Sequence, residues 1–177
     1  NIELGMCPVR AIRVAYTGEL GWELHHPIEM QNYLFDQLEK AGEKHGMKLV
    51  GARAQNWLRQ EKSYRAFGTE LGRDATPLEA DLPRFVDLSK EFHGKAKCVT
   101  LLIDGPPDAD PWGREVLYVK GERTGRLTSG GYSVAFGKSI GMGYVKPEHA
   151  VVGTKMKVKM FDQLWDAEIV EDSPYDP

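Results

Sequence analysis

The sequence contains few cysteines for its length. Among 177 residues there are only two, Cys7 and Cys98, and neither belongs to a CxxC pair. A structural zinc site needs clustered Cys and His ligands, and a small secreted fold needs several disulfides, so the sequence suggests neither class. We therefore expect a reducing compartment, either the cytoplasm or the mitochondrial matrix.

Long apolar runs and an excess of one charge are also missing. No stretch reaches the 18 or so apolar residues of a membrane-spanning helix. The formal net charge is −3 and the isoelectric point lies near 6.0, which does not favour nucleic acid or an anionic membrane as a partner. The chain begins at Asn1 rather than at methionine, and we expect the rest of the same chain to lie upstream.

Common catalytic fingerprints are absent as well. The sequence has no Walker loop and no GxGxxG segment. The five histidines are scattered, and the adjacent His25 and His26 would point to opposite faces of a strand, so we expect no metal site. The glycine-rich SGGYS segment (129–133) is not followed by a helix, which favours a tight turn over a phosphate-binding loop.

A β-hairpin is predicted at residues 9–26. The stretch AYTGELGWEL contains a Gly-Glu-Leu-Gly turn that would place Tyr16 directly opposite Glu23, with Trp22 on the other face as a core residue. A ring beside a carboxylate can hold a flat heterocycle that carries N–H donors, and it is also a common surface pair. The residues alone leave both interpretations open.

Two helices are predicted after the hairpin. Apolar residues recur at helical spacing between Pro27 and Gly46, and the glycine is expected to end that helix. A second helix is predicted from about Gly51, with Trp57 and Tyr64 among the residues that face inward.

Arginines on the second predicted helix are candidate anion ligands. Arg53 lies near the helix start, where its side chain can reach a pocket formed with the hairpin. For Arg59 we favour a structural ion pair with Glu61 on the same helix.

The last part of the chain predicts six short strands. They are CVTLLID, REVLYVK, GRLTSGG, SIGMGYV, KMKVKMF and WDAEIV. Short β segments at this close spacing, separated by Gly, Pro and Asp, favour a small antiparallel barrel or jelly-roll. The fold class is therefore α+β, and the chain is predicted to divide into domains at 1–94 and 95–177.

Several segments resemble one known family in the same order along the chain. YTGELGWE (16–23) resembles the YTGEDGxE stretch of the aminomethyltransferases, the T-proteins of the glycine cleavage system. The further matching segments are LRQE (58–61), GTEL (68–71), TPLEADL (76–82), EFHGKAK (91–97) and GRLTSGGYSVAFGKSIGMGYV (125–145). EKSYRAFGTEL and the final SPYDP are similar to the folate-binding C-terminal half of dimethylglycine and sarcosine dehydrogenases. The KGCYxGQ signature of the related cluster-repair proteins is replaced here by QEKSYRAFG.

This resemblance implies a fold and a site. It implies the C-terminal part of a ferredoxin-like folate-binding domain at 1–94, followed by the barrel. The family glutamate that hydrogen-bonds the pterin ring corresponds to Glu23, and the tyrosine of the same pocket corresponds to Tyr16. The family's Ala-Arg-Asp aligns with Ala-Gln-Asn here, so Gln55 replaces the family arginine and Arg53 lies two residues earlier. The family's catalytic aspartate would lie upstream of Asn1, and no catalytic residue is assigned.

The resemblance also implies an activity. We expect tetrahydrofolate-dependent one-carbon transfer, as part of a flavoprotein that demethylates an N-methylated glycine and yields 5,10-methylenetetrahydrofolate. The FAD would lie on an upstream domain, and the partners would be folate and a small N-methylated amine. A stand-alone T-protein or another folate-dependent demethylase is one alternative, and a folate-binding module without chemistry is another.

Overall fold

The computed structural model describes residues 1–89, 94–106 and 109–175. The chain divides into two compact units, Asn1–Gln55 and Asn56–Pro177. The division of the sequence into domains at 1–94 and 95–177 stays a prediction. The first three residues of EFHGKAK and the last two of SPYDP lie outside the described residues, as does His93.

The first unit contains a small antiparallel sheet and a helix. Its strands are β1 (Ile2–Leu4), β2 (Cys7–Ile12) and β3 (Glu23–His25), in the order β1-β2-β3. A single 3₁₀ turn, Ile28–Met30, leads into helix α1 (Gln31–Gly42). Gly46 has a φ of 68° and closes the short 3₁₀ turn that follows α1, as its position in the sequence predicts.

The core of the first unit forms between one face of the sheet and α1. The buried residues are Cys7, Val9 and Leu34, and Leu24 and Leu38 pack against them. Cys7 and Val9 are two positions apart on β2, so their side chains share a face of the sheet. Leu34 and Leu38 are four apart on α1 and therefore form one apolar stripe.

Helix α2 (Ala52–Glu61) begins where the sequence predicts it. Its fully buried residues, however, are polar: Arg59, Gln60 and Glu61. Trp57 is half-buried, and Tyr64 is 40% exposed, so the prediction that Tyr64 faces inward is wrong. The apolar spacing alone did not identify the buried face of this helix.

The second unit contains a closed six-stranded antiparallel barrel. Its strands are β4 (Lys97–Ile103), β5 (Val116–Val119), β6 (Glu122–Ser133), β7 (Lys138–Val145), β8 (Lys155–Met160) and β9 (Gln163–Val170). They close in the order β4-β7-β6-β5-β8-β9. All six predicted β segments fall on these strands, and the α+β class with an antiparallel barrel is confirmed.

Strand β8 shows the alternation of side chains that fills the barrel interior. In β8 the sequence KMKVKM places Met156, Val158 and Met160 in the interior and the three lysines in solvent. The β8–β9 turn has positive φ at both central residues, Phe161 and Asp162, which matches the twist of a two-residue hairpin.

The SGGYS segment is strand and not turn. It forms the end of β6, and the turn follows at 134–137. Gly131 is required here because a Cβ would overlap the indole ring of Trp57. The glycines therefore permit close packing of helix and ring on the strand, which a turn prediction does not anticipate.

Both cysteines are free and buried. Burial raises the pKa of the Cys98 thiol to about 12, so the thiol stays protonated near neutral pH. Within the described ranges, no cluster of His, Cys, Asp and Glu could hold a metal ion, and no helix is long and apolar enough to cross a membrane.

Candidate functional site

The segment that carries Tyr16 and Glu23 is a long loop and not a tight hairpin. Strand β2 ends at Ile12, where Val14 N–H donates to the Ile12 carbonyl at 3.0 Å and turns the chain away from the ladder. Residues 13–22 then connect β2 to β3. In the β2–β3 register Glu23 lies opposite Ile12, so the predicted Tyr16–Glu23 cross-strand pair is wrong. Trp22, on the same loop, is 59% exposed and is not a core residue.

Glu23 presents its carboxylate to solvent at the first position of β3. More than half of its side-chain surface is exposed, and one carboxylate oxygen lies 3.2 Å from Nε2 of His25. The two side chains share a face because they are two positions apart on the strand. A carboxylate in this position keeps free acceptor capacity, which a ligand with N–H donors can use.

The other two predicted ligands lie at the start of α2. Arg53 and Gln55 are both exposed. Residues two apart on a helix point in different directions, so these two side chains do not share a face. The structure therefore offers one of them, and not both, to a ligand on a given side of the helix. The roles of Tyr16, Glu23, Arg53 and Gln55 in binding stay predictions.

A cavity of about 690 Å³ lies elsewhere on the first unit. Its lining residues come from β1, β2 and Pro27, and they include none of the four predicted ligands. It is an open hollow beside the sheet, and we base no assignment on its size.

The second unit contains a buried arginine that sequence reasoning assigned to the wrong partner. Arg59 is fully buried, and its NH1 lies 2.8 Å from Oε2 of Glu70, not of Glu61. The guanidinium also donates to the Asn56 side chain at 3.0 and 2.8 Å and to Ser129 Oγ at 2.6 Å. Arg59 thereby joins α2 to strand β6 of the barrel.

Glu70 is the fully buried partner, and its carboxylate accepts five hydrogen bonds. The donors are Arg59 NH1, Ala66 N–H, Thr69 Oγ1, Thr128 Oγ1 and Ser129 Oγ. Burial alone would raise the pKa of Glu70. The Arg59 charge and the hydrogen bonds outweigh that effect and hold the pKa below its ordinary value of 4.5. Glu70 therefore stays ionised at neutral pH although it is buried.

An irregularity in β6 makes this arrangement possible. Neighbouring strand residues normally point to opposite faces. The β6–β7 register shifts between Leu127 and Ser129, so the strand carries a bulge at Thr128. As a result the Thr128 and Ser129 hydroxyls both donate to Oε1 of Glu70, at 2.6 and 2.5 Å.

The C-terminal segment caps the end of α2. Tyr175 N–H donates to the Glu61 carbonyl at 3.3 Å, and Ser173 Oγ donates to the Lys62 carbonyl at 3.0 Å. Asp172 pairs with Arg65 at 2.8 Å. The last carbonyls of a helix have no partner within it, so the segment supplies donors that the helix lacks.

The lowered pKa of Glu70 predicts a specific dependence of stability on pH. A depressed pKa in the folded state contributes stability above the unfolded pKa, and that contribution is lost as the pH falls through the folded value. We expect the difference in unfolding free energy between the native chain and Glu70→Gln to be largest above the ordinary pKa of 4.5 and to shrink as the pH falls below it. Urea unfolding at several pH values measures it. A difference that stays constant or grows on acidification would contradict this account.

Comparison with known proteins places the chain in a family. The family model described as the GCVT N-terminal domain matches residues 1–90, and that described as the glycine cleavage T-protein C-terminal barrel domain matches residues 97–176. The chain belongs to the glycine cleavage T-protein family. It is a member of a folate-dependent, aminomethyltransferase-type group of proteins.

Individual relatives support the T-protein assignment. The chain is 38% identical over 188 residues to mitochondrial dimethylglycine dehydrogenase of Rattus norvegicus, covering 97% of this chain and 22% of the relative. It is 34% identical over 171 residues to an aminomethyltransferase of Natranaerobius thermophilus, covering 90% of this chain and 47% of the relative. The solved glycine cleavage aminomethyltransferase T of Bartonella henselae matches with a TM-score of 0.81 and 25% identity, over 94% of this chain and 49% of that one. The chain thus spans between about a fifth and a half of the length of these relatives.

The sequence contained one signal for the buried Arg59–Glu70 pair. Arg59 and Glu70 both lie in segments that resemble the family, LRQE and GTEL. Nothing in the spacing of eleven residues indicates that the two side chains meet, because the contact depends on the turn at 62–69 and on the β6 bulge.

Proposed function

We propose that this chain is the folate-binding part of a flavin-dependent dehydrogenase that demethylates an N-methylated glycine of the dimethylglycine or sarcosine type. The observation that carries the proposal is the 38% identity to a dimethylglycine dehydrogenase over 97% of the chain. The identity to an aminomethyltransferase is 34% over 90% of the chain. The FAD is proposed to bind a domain upstream of Asn1 in the full-length protein.

The residues of the first unit fit tetrahydrofolate. Glu23 has an exposed carboxylate with free acceptor capacity, and pterin rings carry N–H donors that pair with such a group. A charge-assisted hydrogen bond of this kind contributes about 1.5–3 kcal/mol. Tyr16 is 37% exposed on the loop that precedes Glu23, which leaves ring surface for a flat ligand. Arg53 or Gln55 would add a polar contact from the start of α2.

The chain's own contribution to the reaction is binding and orientation. When bound, tetrahydrofolate supplies the amine nitrogens that accept the one-carbon unit, which gives 5,10-methylenetetrahydrofolate. Glu23 would fix the orientation of the pterin ring, and Tyr16 would shield one side of it from water. Holding two reactants together replaces a bimolecular encounter, and it accounts for a large part of the rate in such reactions. No general acid or base is assigned to the described residues.

A stand-alone aminomethyltransferase is the second candidate. It is favoured by the match to the Natranaerobius thermophilus protein and by the Bartonella henselae structure. The upstream sequence distinguishes the two candidates. A dinucleotide-binding fingerprint there would establish the flavin enzyme. The mitochondrial name of the rat relative favours the mitochondrial matrix over the cytoplasm for the first candidate.

Turnover of dimethylglycine separates the proposed dehydrogenase from a folate-binding module without chemistry. The 177-residue chain, given dimethylglycine and tetrahydrofolate, is expected to yield little or no 5,10-methylenetetrahydrofolate. The protein extended by its natural upstream sequence is expected to reduce its flavin with dimethylglycine and to form that product. Appreciable product from the 177 residues alone would contradict the first expectation. An extended protein that binds folate but turns over neither dimethylglycine nor sarcosine would contradict the proposed dehydrogenase.

A further inference from the structure

A groove on the second unit carries two arginines with no assigned role. It has a volume of about 550 Å³ and lies beside the β6 bulge, and we call it the Arg114 groove. Its lining residues are Gly68, Thr69, Trp112, Gly113, Arg114, Arg126, Leu127 and Thr128. This lining contains two cationic side chains and an exposed indole, and it contains no carboxylate.

The backbone holds Arg114 in place at some conformational cost. Gly113 and Arg114 have φ values of 90° and 92°, and positive φ is unfavourable for an arginine. Arg114 N–H donates to the Leu127 carbonyl at 2.8 Å, which ties the loop to β6. A Cβ on Gly113 would overlap the carbonyl oxygen of Thr128, so the loop lies directly against the strand. The backbone of Arg114 is thus tied to β6 beside the groove.

The two arginines are close neighbours with the same charge. Val116 pairs with Arg126 in the β5–β6 register, and Leu127 N–H donates to the Glu115 carbonyl. Arg114 and Arg126 therefore lie diagonally across the two chain segments, and both line the same groove. Both are exposed, and within the described ranges neither side chain forms an ion pair or a hydrogen bond. Like charges in this relation repel, and a bound anion would relieve the repulsion.

Acidic side chains nearby do not supply that anion. Glu70, Asp74 and Glu79 line an adjoining cavity of about 180 Å³ that also includes Arg126. Glu70 is fully buried and saturated by its five donors, and Glu79 accepts hydrogen bonds from Thr76 and Lys95. No ion pair joins Asp74 to Arg126 in the described part of the chain. One oxygen of the Glu115 carboxylate accepts from Trp112 N–H at 2.8 Å, and the other oxygen is buried.

We propose that the Arg114 groove is a binding site for a small oxyanion ligand, a carboxylate or a phosphate. Arg114 and Arg126 hold the oxyanion, since a guanidinium donates in a planar fork that matches both groups. The indole of Trp112, 76% exposed, covers the apolar part of the ligand. The site lies on the barrel unit, and its existence does not depend on the proposed folate site of the first unit.

Calorimetric titration of the 177-residue chain tests the groove. Inorganic phosphate and glutarate are titrated separately, with sodium chloride added to keep the ionic strength constant. We expect saturable binding of at least one of them, and binding at least tenfold weaker in Arg114→Gln and in Arg126→Gln. The anion that binds more tightly identifies the ligand class.

Arg123→Gln is the matched control, because Arg123 is exposed on the same strand and does not line the groove. It should bind like the native chain. Circular dichroism confirms that the three variants are folded, and folinic acid titrated into them reports the folate site separately. The proposal is overturned if neither anion binds saturably to the native chain. It is also overturned if Arg123→Gln weakens binding as much as the two groove variants.

Discussion

Replacing Arg59 by methionine is expected to lower the free energy of unfolding of the second unit by about 3–5 kcal/mol. The substitution leaves the Glu70 carboxylate fully buried without its cationic partner. It also leaves the Asn56 and Ser129 side chains without a donor. An uncompensated buried charge costs far more than the loss of an exposed ion pair. Urea unfolding followed by far-ultraviolet circular dichroism measures the change.

Two further variants test whether the loss of stability comes from the buried Arg59–Glu70 pair. Arg73→Met removes an exposed arginine from the same unit and should change the unfolding free energy by less than about 0.5 kcal/mol. The double variant Arg59→Met/Glu70→Leu removes both charges and should recover part of the lost stability, because an apolar pair of similar volume tolerates burial. A loss below about 1 kcal/mol in Arg59→Met would show that the buried pair does not hold α2 on the barrel.

Replacing Gly125 by alanine is expected to destabilise the barrel by about 3 kcal/mol, at the upper end of the range for overpacking. A methyl group at this position would overlap the carbonyl oxygen of Tyr144 and lie 2.9 Å from its carbonyl carbon. These atoms belong to the backbone of the neighbouring strand β7 and cannot rotate away. Relief of the clash therefore requires the β6–β7 ladder to move.

Gly72→Ala is the matched control for the barrel prediction. A Cβ at Gly72 meets no atom within 4 Å, and its φ is not in the left-handed region. We expect its unfolding free energy to stay within about 0.5 kcal/mol of the native value. Equal stabilities of the two alanine variants would contradict the close strand approach at Gly125.

The barrel strands could be predicted from the sequence because side chains alternate between the two faces of a strand. In β8 the alternation of Lys155, Lys157 and Lys159 with apolar residues fixes which side chains face inward. Helix α1 was readable for the same reason, since Leu34 and Leu38 lie at helical spacing. In both elements, the pattern of residues close in the chain determines which side chains are buried.

The predictions that were wrong concern features that depend on contacts between distant residues or on the exact end of a strand. The Tyr16–Glu23 pair was wrong because β2 stops at Ile12, and no residue in the printed sequence marks that end. The SGGYS segment was predicted to be a turn because its glycines are typical of turns. The sequence does not indicate that the Trp57 ring packs on Gly131. The partner of Arg59 was missed because the contact with Glu70 is set by a turn and a bulge.

The most direct test of the account is calorimetric titration of folinic acid, a stable reduced folate, into the native chain and Glu23→Ala. We predict that the native chain binds and that the variant binds at least tenfold more weakly, which corresponds to about 1.4 kcal/mol. Glu19→Ala, a change of an exposed carboxylate on the preceding loop, should bind like the native chain. Equal binding by the native chain and Glu23→Ala would contradict the assignment of Glu23 to the pterin ring.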